Sequence, residues 1–212
     1  MAQIIEMNPD TPQPRKMDKV IDAIKNGDLV AYPTDTVYAI GCDMFNREAV
    51  EKLNTLVKEI KKSPEHSPLA YICHDLKNVA EYAVINNEAH RILRRLLPGP
   101  YTFILEATKK VPKTALKKRK TVGIRVPQSE ITLQMVRELG NPVLTTSAVI
   151  DDTFIADPWS LKDAYGHMIS IVIDAGFIDP QPSTVLDLSG DYPVVLREGK
   201  GPLLDMEFVQ ML

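Results

Sequence analysis

Residues 32–41 read Tyr32-Pro33-Thr34-Asp35-Thr36-Val37-Tyr38-Ala39-Ile40-Gly41. The apolar run Leu29–Tyr32 reads as a buried strand, and Pro33 stops it because proline has no N–H to give to a ladder. Val37–Ile40 reads as a second strand. Between them the hydroxyls of Thr34, Thr36 and Tyr38 flank one carboxylate, Asp35. Such a strand end either holds a small polar molecule or closes an ordinary Asp/Thr turn.

Working outward, Met17, Val20, Ile21 and Ile24 recur at helical spacing, and Asn26-Gly27 ends that helix. Asn46 is the expected cap of a helix burying Val50, Leu53, Val57 and Ile60. A polar stretch, Lys61–Pro68, precedes a strand over Leu69–Cys73. Asp75 and Asn86 cap two further helices, the second running to Leu97 before Pro98-Gly99-Pro100. Tyr101–Ala107 alternates as a half-buried strand does, and Val122–Val126 follows as another. Ser129 caps a helix that Gly140 closes. Val143–Thr146 is a strand leading into an irregular stretch, and Asp157-Pro158 opens a helix. Ile169–Ile173, Thr184–Leu188 and Val194–Leu196 are the remaining strands. Interleaved helices and strands predict the α/β class, a twisted mixed sheet with helices packed on it. Without a repeat or long linker, one domain over residues 1–212 is the simplest division.

The 212 residues are 44% apolar and 25% charged, which excludes collagen-like and low-complexity classes. Two cysteines, Cys42 and Cys73, are too few for a four-thiol metal site and fit a reducing compartment. Neither a signal peptide nor an apolar run of about 18 residues is present, which points to the cytoplasm and to no membrane partner. The net charge of −3 is uneven. Lys109, Lys110, Lys113, Lys117, Lys118, Arg119, Lys120 and Arg125 form a run without a negative charge, leaving −11 for the rest of the chain. Between Asp151 and Asp191 only Lys162 opposes a series of aspartates. The basic run suits either a phosphate-bearing partner or a solvated face.

Phosphate-loop and dinucleotide glycine motifs are absent, and His66, His74, His90 and His167 lack metal-ligand spacing. The informative pattern is a series of segments in order. Residues 32–41 resemble the opening motif of the YrdC-like family, the threonylcarbamoyl-AMP synthases. Leu97-Pro98-Gly99-Pro100-Tyr101-Thr102 is similar to its Leu-Pro-Gly-Pro-x-Thr segment. Thr121-Val122-Gly123-Ile124-Arg125-Val126-Pro127 is similar to its Thr-Val-x-x-Arg-x-Pro strand. Thr145-Thr146-Ser147-Ala148 resembles its Thr-Ser-Ala-Asn motif. Pro182-Ser183-Thr184-Val185 with Leu196-Arg197-Glu198-Gly199 resembles its close. The resemblance spans about residues 15–202.

This resemblance implies a single YrdC-like domain with a concave, basic ligand surface. It implies that L-threonine, bicarbonate or CO2, and ATP with Mg2+ combine into threonylcarbamoyl-AMP and pyrophosphate, for later transfer to tRNA by tRNA threonylcarbamoyl transferase proteins. The chain's end near Leu212 implies the short form of the family. Carried over by position, Thr34, Arg125, Thr145 and Thr184 surround L-threonine. Lys61, Thr121, Ser147 and Arg197 contact ATP, with Lys61 and Arg197 on phosphates. No protein nucleophile is implied, because proximity and electrostatics suffice for this chemistry. Arg125 inside an apolar strand needs an anion, either a ligand carboxylate gripped by two parallel donors or an internal carboxylate.

Departures from the family pattern point to its YciO-like branch. Ser63 stands where the synthases carry arginine, Val149 where they carry asparagine, Ala39 where they carry glycine, and Ile72 where histidine is frequent. Ser63 and Val149 each remove a polar contact to the nucleotide, so turnover is expected to be slow. The alternative is a non-catalytic module binding double-stranded RNA or tRNA through Lys117, Lys118, Arg119 and Lys120. A third reading is another acyl or carbamoyl adenylation on the same scaffold.

Overall fold

Alternation along short strands sets the layering of this chain, because successive side chains point to opposite faces. The computed structural model describes residues 1–60, 69–116, 119–203 and 210–211. In chain order its elements are β1 (Gln3–Glu6), α1 (Pro14–Lys25), β2 (Val30–Tyr32), β3 (Ala39–Asp43), α2 (Arg47–Ile60), β4 (Ala70–Ile72), α3 (Leu76–Tyr82), β5 (Ala83–Val84), α4 (Asn87–Leu96), β6 (Tyr101–Ala107) and α5 (Lys113–Leu116). There follow β7 (Thr121–Arg125), α6 (Glu130–Leu139), β8 (Val143–Ser147), β9 (Val149–Ile150), β10 (Thr153–Phe154), α7 (Pro158–Tyr165), β11 (Ile171–Asp174), β12 (Thr184–Asp187), β13 (Val194–Arg197) and β14 (Gln210–Met211).

One mixed sheet carries the order β1-β11-β2-β3-β8-β4-β7-β6-β12-β13-β14, with β5 added to β6. On one face, Ile40, Leu144, Tyr71, Ile124, Phe103 and Leu186 meet Leu53 and Leu56 of α2 in a continuous core. On the other, Val30, Tyr32, Ala39, Ile72 and Val143 pack under Met17, Val20 and Ile24 of α1 and Ile131 and Met135 of α6. That second cover extends over β1, β11, β2, β3 and part of β8 and β4. Farther across, Ala70, Gly123, Thr102 and Val185 border a cleft.

Local chemistry places the helix starts. Asn46, Asp75 and Asn86 each accept a backbone N–H three residues on, at 3.1, 2.6 and 2.8 Å. Asp157 accepts from Trp159 and Ser160. Gly140 closes α6 in the left-handed conformation, φ 84°. Ser129 stands at the expected cap position without capping. Its hydroxyl donates to the Pro33 carbonyl at 3.3 Å, which Thr132 also satisfies at 2.6 Å. The two hydroxyls thus satisfy the carbonyl at the buried end of β2, and Ser129 Oγ accepts no amide of the helix.

Besides the short elements α5, β5 and β14, which the sequence reading did not name, other features depart from it. β1, a four-residue strand paired only to β11, has no clear alternation to reveal it. β3 begins at Ala39 and not Val37, because Thr34 holds the Val37 carbonyl in a turn at 2.6 Å. The stretch after β8 contains a hairpin, β9–β10, turned by Asp151 and Asp152 at φ 48° and 64°.

Candidate functional site: a two-arginine cleft

The cleft has a volume of about 200 Å³ and opens over β3, β8, β4, β7, β6, β12 and β13. Its floor is made of residues sharing one face: Ala39, Ala70, Gly123 and Thr145, with Ser147 and Thr102 beside them. Register explains the set, since Ala70 pairs with both Gly123 and Thr145, and Ala39 with Ser147. Small side chains on the part of this face beyond the cover of α1 and α6 leave room for a ligand. Two cations stand in it, Arg125 and Arg197.

Arg125 ends β7 with its side chain 6% exposed. Nη2 donates to Asp35 Oδ1 at 2.9 Å and to Thr36 Oγ1 at 2.8 Å. Asp35 Oδ2 in turn accepts from the Gln128 amide at 2.9 Å. The internal ion pair foreseen as one partner for Arg125 is therefore present. It occupies Nη2, so the guanidinium offers a ligand no wholly free pair of parallel donors. Nε is buried and meets no acceptor among the described residues. Burial pulls the guanidinium below its ordinary value, and the Asp35 charge opposes that.

Arg197 reaches the cleft through a β-bulge. Leu186 pairs with Val195 and Val185 with Arg197, which leaves Leu196 as the extra residue. Val195 lies in the core, and in a regular strand Arg197 would face the same way. The extra residue turns Arg197 to the cleft side. There Nε and Nη2 hold the Ser183 carbonyl at 3.1 and 2.9 Å, and Nη2 reaches Ser183 Oγ at 3.2 Å. Ser183 Oγ also meets Thr102 Oγ1 at 2.8 Å. Burial and then the Arg125 charge hold Arg197 below its ordinary value. The two guanidinium groups repel each other across the cleft, and an anion between them relieves that.

Of the eight positions assigned to L-threonine and ATP, Arg125, Thr145, Ser147 and Arg197 line this cleft. Thr145 Oγ1 accepts from Tyr32 at 2.7 Å and donates to the Ile40 carbonyl at 3.0 Å. Burial pushes the Tyr32 phenol far up, so it stays a donor. Thr121 lies on the same face as Gly123 but outside the lining. Thr34 and Thr184 do not line the cleft either, and each has its hydroxyl committed. Thr34 Oγ1 donates to the Val37 carbonyl and accepts from the amides of Thr36 and Val37. Thr184 faces away beside Tyr101, donating to Gly201 O at 2.6 Å and accepting from Gly199 N at 3.0 Å. Ser183, one residue earlier, is the cleft hydroxyl.

Val149 is buried in the core and not at the cleft edge, and its carbonyl accepts from Tyr165. Ile72 is likewise a core residue under α6. Lys61, Ser63, Lys117 and Lys118 lie outside the described residues. Arg119 and Lys120 are exposed, with Lys109 and Lys113, on the segment joining β6 to β7. That segment meets the sheet at Glu106 and Thr121, the end of β7 opposite Arg125. Asp35, Thr36, Thr102 and Ser183 were not assigned from sequence, although all four lie within the quoted motifs.

Among the described residues no three His, Cys, Asp or Glu side chains are grouped to hold a metal ion. None of their helices is long and apolar enough to cross a membrane.

Comparison with known proteins gives this geometry a family. The Sua5/YciO/YrdC family model, described as telomere recombination, matches residues 22–199. YciO of Escherichia coli K12 is 36% identical over 204 residues, covering 95% of this chain and 97% of that protein. The crystal structure of E. coli YciO matches with a TM-score of 0.88 at 35% identity, over 96% of this chain and 98% of that one. A threonylcarbamoyl-AMP synthase of Vibrio vulnificus YJ016 is 30% identical over 161 residues, 74% of this chain and 84% of that one. P. abyssi Sua5, solved in complex with L-threonine, matches with a TM-score of 0.89 at 27% identity, over 100% of this chain and 63% of that one. The protein described here belongs to the Sua5/YciO/YrdC family.

Proposed function

We propose that the two-arginine cleft binds L-threonine and Mg–ATP, and that the protein joins them with bicarbonate-derived CO2 into threonylcarbamoyl-AMP and pyrophosphate. The observation that carries this reading is the pair Arg125 and Arg197 on a floor of small residues. L-threonine and ATP are both anionic at the ends these cations can hold. The L-threonine complex of P. abyssi Sua5 supports the amino-acid half.

The chemistry asks little of protein nucleophiles. The amine nitrogen bonds to the carbon of CO2 and loses a proton, giving a carbamate. A carbamate oxygen then bonds to the α-phosphorus, and the bond from that phosphorus to the bridging oxygen breaks. Pyrophosphate leaves with the electron pair. Arg125 holds the amino-acid carboxylate through its remaining donors, and Arg197 faces the phosphates. Thr145 and Ser147 line the floor between them. Mg2+ enters with the triphosphate as part of the substrate and neutralises charge on the leaving group. Slow turnover is expected from Ser63, a short uncharged residue where the synthases carry arginine.

The test is to incubate the protein with ATP, Mg2+, L-threonine and bicarbonate and to measure threonylcarbamoyl-AMP and pyrophosphate. A control without L-threonine separates simple ATP hydrolysis. The expected result is L-threonine-dependent release of both products. A folded protein that binds neither substrate overturns the reading. One that binds both and forms no adenylate leaves binding and removes catalysis.

A second reading rests on the exposed Lys109, Lys113, Arg119 and Lys120 on the segment before β7. It assigns that segment to RNA, including the tRNA that receives the threonylcarbamoyl group from a transferase. Each neutralised phosphate adds about −0.7 to −0.9 to the slope of log K against log salt. Changing Lys109, Lys113 and Lys120 to Gln should flatten that slope by about 2–3. An unchanged slope leaves the segment as a solvated face.

A further inference from the structure

We propose that Asp35 is a positioning residue for the cleft: it fixes the Arg125 guanidinium so that its free donors meet a carboxylate. This rests on the reading that Arg125 takes the carboxylate of the amino-acid substrate. The geometry is overdetermined on the Asp35 side. One carboxylate oxygen accepts from Arg125 Nη2 at 2.9 Å and the other from the Gln128 amide at 2.9 Å. The carboxylate thereby ties the turn after β2 to both ends of the Arg125–Gln128 segment. The turn is held from the far side as well. Lys200 Nζ donates to Asp35 O at 2.6 Å, and the Gln181 amide to Thr36 O at 3.3 Å. Thr34 fixes Thr36 and Val37 from inside the turn.

The consequence for Arg125 follows from its donor count. A guanidinium has five N–H donors in a rigid plane. With Nη2 held by Asp35 and Thr36, the plane cannot rotate about its long axis without breaking contacts. Nε is buried and meets no acceptor among the described residues. The donors that a cleft ligand can reach are therefore those of Nη1, which is not among the buried unmet atoms, and an anion that meets them gains a charge-assisted contact. Asp35 acts through Arg125 and does not itself line the cleft.

Two roles for Asp35 predict opposite signs. As a mere countercharge it weakens anion binding, and Asp35→Asn should strengthen it. As a positioning residue it strengthens binding. Asparagine carries one acceptor oxygen and cannot serve both Arg125 and the Gln128 amide, so the guanidinium loses its orientation.

The experiment measures L-threonine and L-threoninamide affinity by calorimetry, on the full chain, for wild type, Asp35→Asn, Asp35→Glu and Arg125→Ala. Circular dichroism and thermal melting check the fold. The wild type should prefer L-threonine to the amide by at least tenfold. Asp35→Asn should lose about tenfold on L-threonine and less than twofold on the amide, collapsing the preference. A general loss of structure would weaken both ligands alike, so it does not mimic this result. Asp35→Glu keeps the charge at a longer reach and should fall between. If Asp35→Asn fails to fold, Asp35→Glu decides, and full wild-type preference in it overturns the proposal. Tighter L-threonine binding by Asp35→Asn also overturns it. If Arg125→Ala binds L-threonine normally, the underlying reading of the cleft fails. If Arg125→Ala loses it while Asp35→Asn does not, only the positioning role fails.

Discussion

The two faces of the central strands differ in chemistry although they come from the same residues in alternation. Along β6, Phe103 and Leu105 point into the core, while Thr102 and Ile104 border the cleft. Along β7, Val122 and Ile124 go inward, and Gly123 and Arg125 go to the cleft. One face is large and apolar, and the other is small, hydroxylated and cationic. A strand that carried only a fold would show its second face either solvated or covered. This one borders a cleft of about 200 Å³ instead, with Arg125 and Arg197 beside small residues such as Ala70 and Gly123, which is what the proposed ligand site rests on.

The largest test of that contrast is stability. Phe103→Ala removes a fully buried ring from the core and should cost about 3–5 kcal/mol. Thr102→Ala, one residue away on the cleft face, loses the hydroxyl contact to Ser183 and should cost about 1 kcal/mol. Denaturant unfolding with an unchanged m-value measures both. Equal costs would mean that the cleft face is part of the packed core.

Function should follow the reverse order. Arg125→Ala removes a charge-assisted contact worth about 1.5–3 kcal/mol. L-threonine affinity should fall about 10- to 100-fold, since 1.4 kcal/mol is tenfold. Calorimetry on the folded variant checks this, and unchanged binding would separate Arg125 from the ligand. Phe103→Ala, where it still folds, should leave the affinity within about threefold, a shift of roughly 0.6 kcal/mol.

Sequence reading recovered the elements more fully than the site, for a physical reason. Helices and strands are written in periodicities and caps, such as Val50, Leu53 and Val57 after Asn46, and these survive without knowledge of neighbours. A site also depends on which face each residue takes. Pro182-Ser183-Thr184-Val185 lies along the cleft, yet the pairing of Thr184 with Tyr101 sends its hydroxyl away from it and leaves Ser183 there. Arg197 shows the reverse case, where the bulge at Leu196 overrides the strand's own parity. The position of Val149, apolar where the family has asparagine, reads as a lost ligand group in sequence and is a core residue in space. The partnership of Asp35 with Arg125 joins residues 90 apart, and no local pattern announces it.

Glycines sharpen the comparison within the cleft face itself. A Cβ added at Gly123 would meet Ile104 Cδ1 at 3.4 Å and Thr102 Cγ2 at 3.5 Å, ordinary contact distances. A Cβ at Gly41 would meet Val143 Cγ1 at 2.6 Å and Leu144 O at 2.8 Å. The difference is cover: Gly41 lies against the packed Tyr32 and Val143, and Gly123 lies on the open floor. Gly123→Val should therefore keep stability within about 1 kcal/mol, valine being a good strand residue. Its methyl groups enter the cleft, so ligand affinity should drop about tenfold, equivalent to about 1.4 kcal/mol. Gly41→Ala should do the opposite and destabilise by about 1–3 kcal/mol through overpacking. A Gly123→Val protein that binds L-threonine and ATP like wild type would place the ligands off this floor.

The smallest effect serves as a control that touches neither face. Asp157 caps α7, accepting from Ser160 N at 2.8 Å and Trp159 N at 3.1 Å. Those amides, Ser160 first, hold its carboxyl below the ordinary value. A carboxyl depressed in the folded state stabilises above its unfolded pKa of about 3.9, and that contribution disappears as pH falls through the lower folded value. The group is largely solvated, so screening keeps the effect small. Asp157→Ala should cost about 0.5–1 kcal/mol near pH 7. The gap from wild type should narrow below about pH 4, because the wild-type carboxylate is then neutralised as well. Asp157→Asn keeps a neutral cap and should show a smaller loss with little pH dependence. Unfolding curves at pH 7, 4 and 3 measure all three. L-threonine affinity should be identical in each variant, since α7 contributes no residue to the cleft. A changed affinity in Asp157→Ala would show that the cleft responds to distant loosening, and the losses at Arg125 and Gly123 would then need this variant's loss subtracted before being read as contacts.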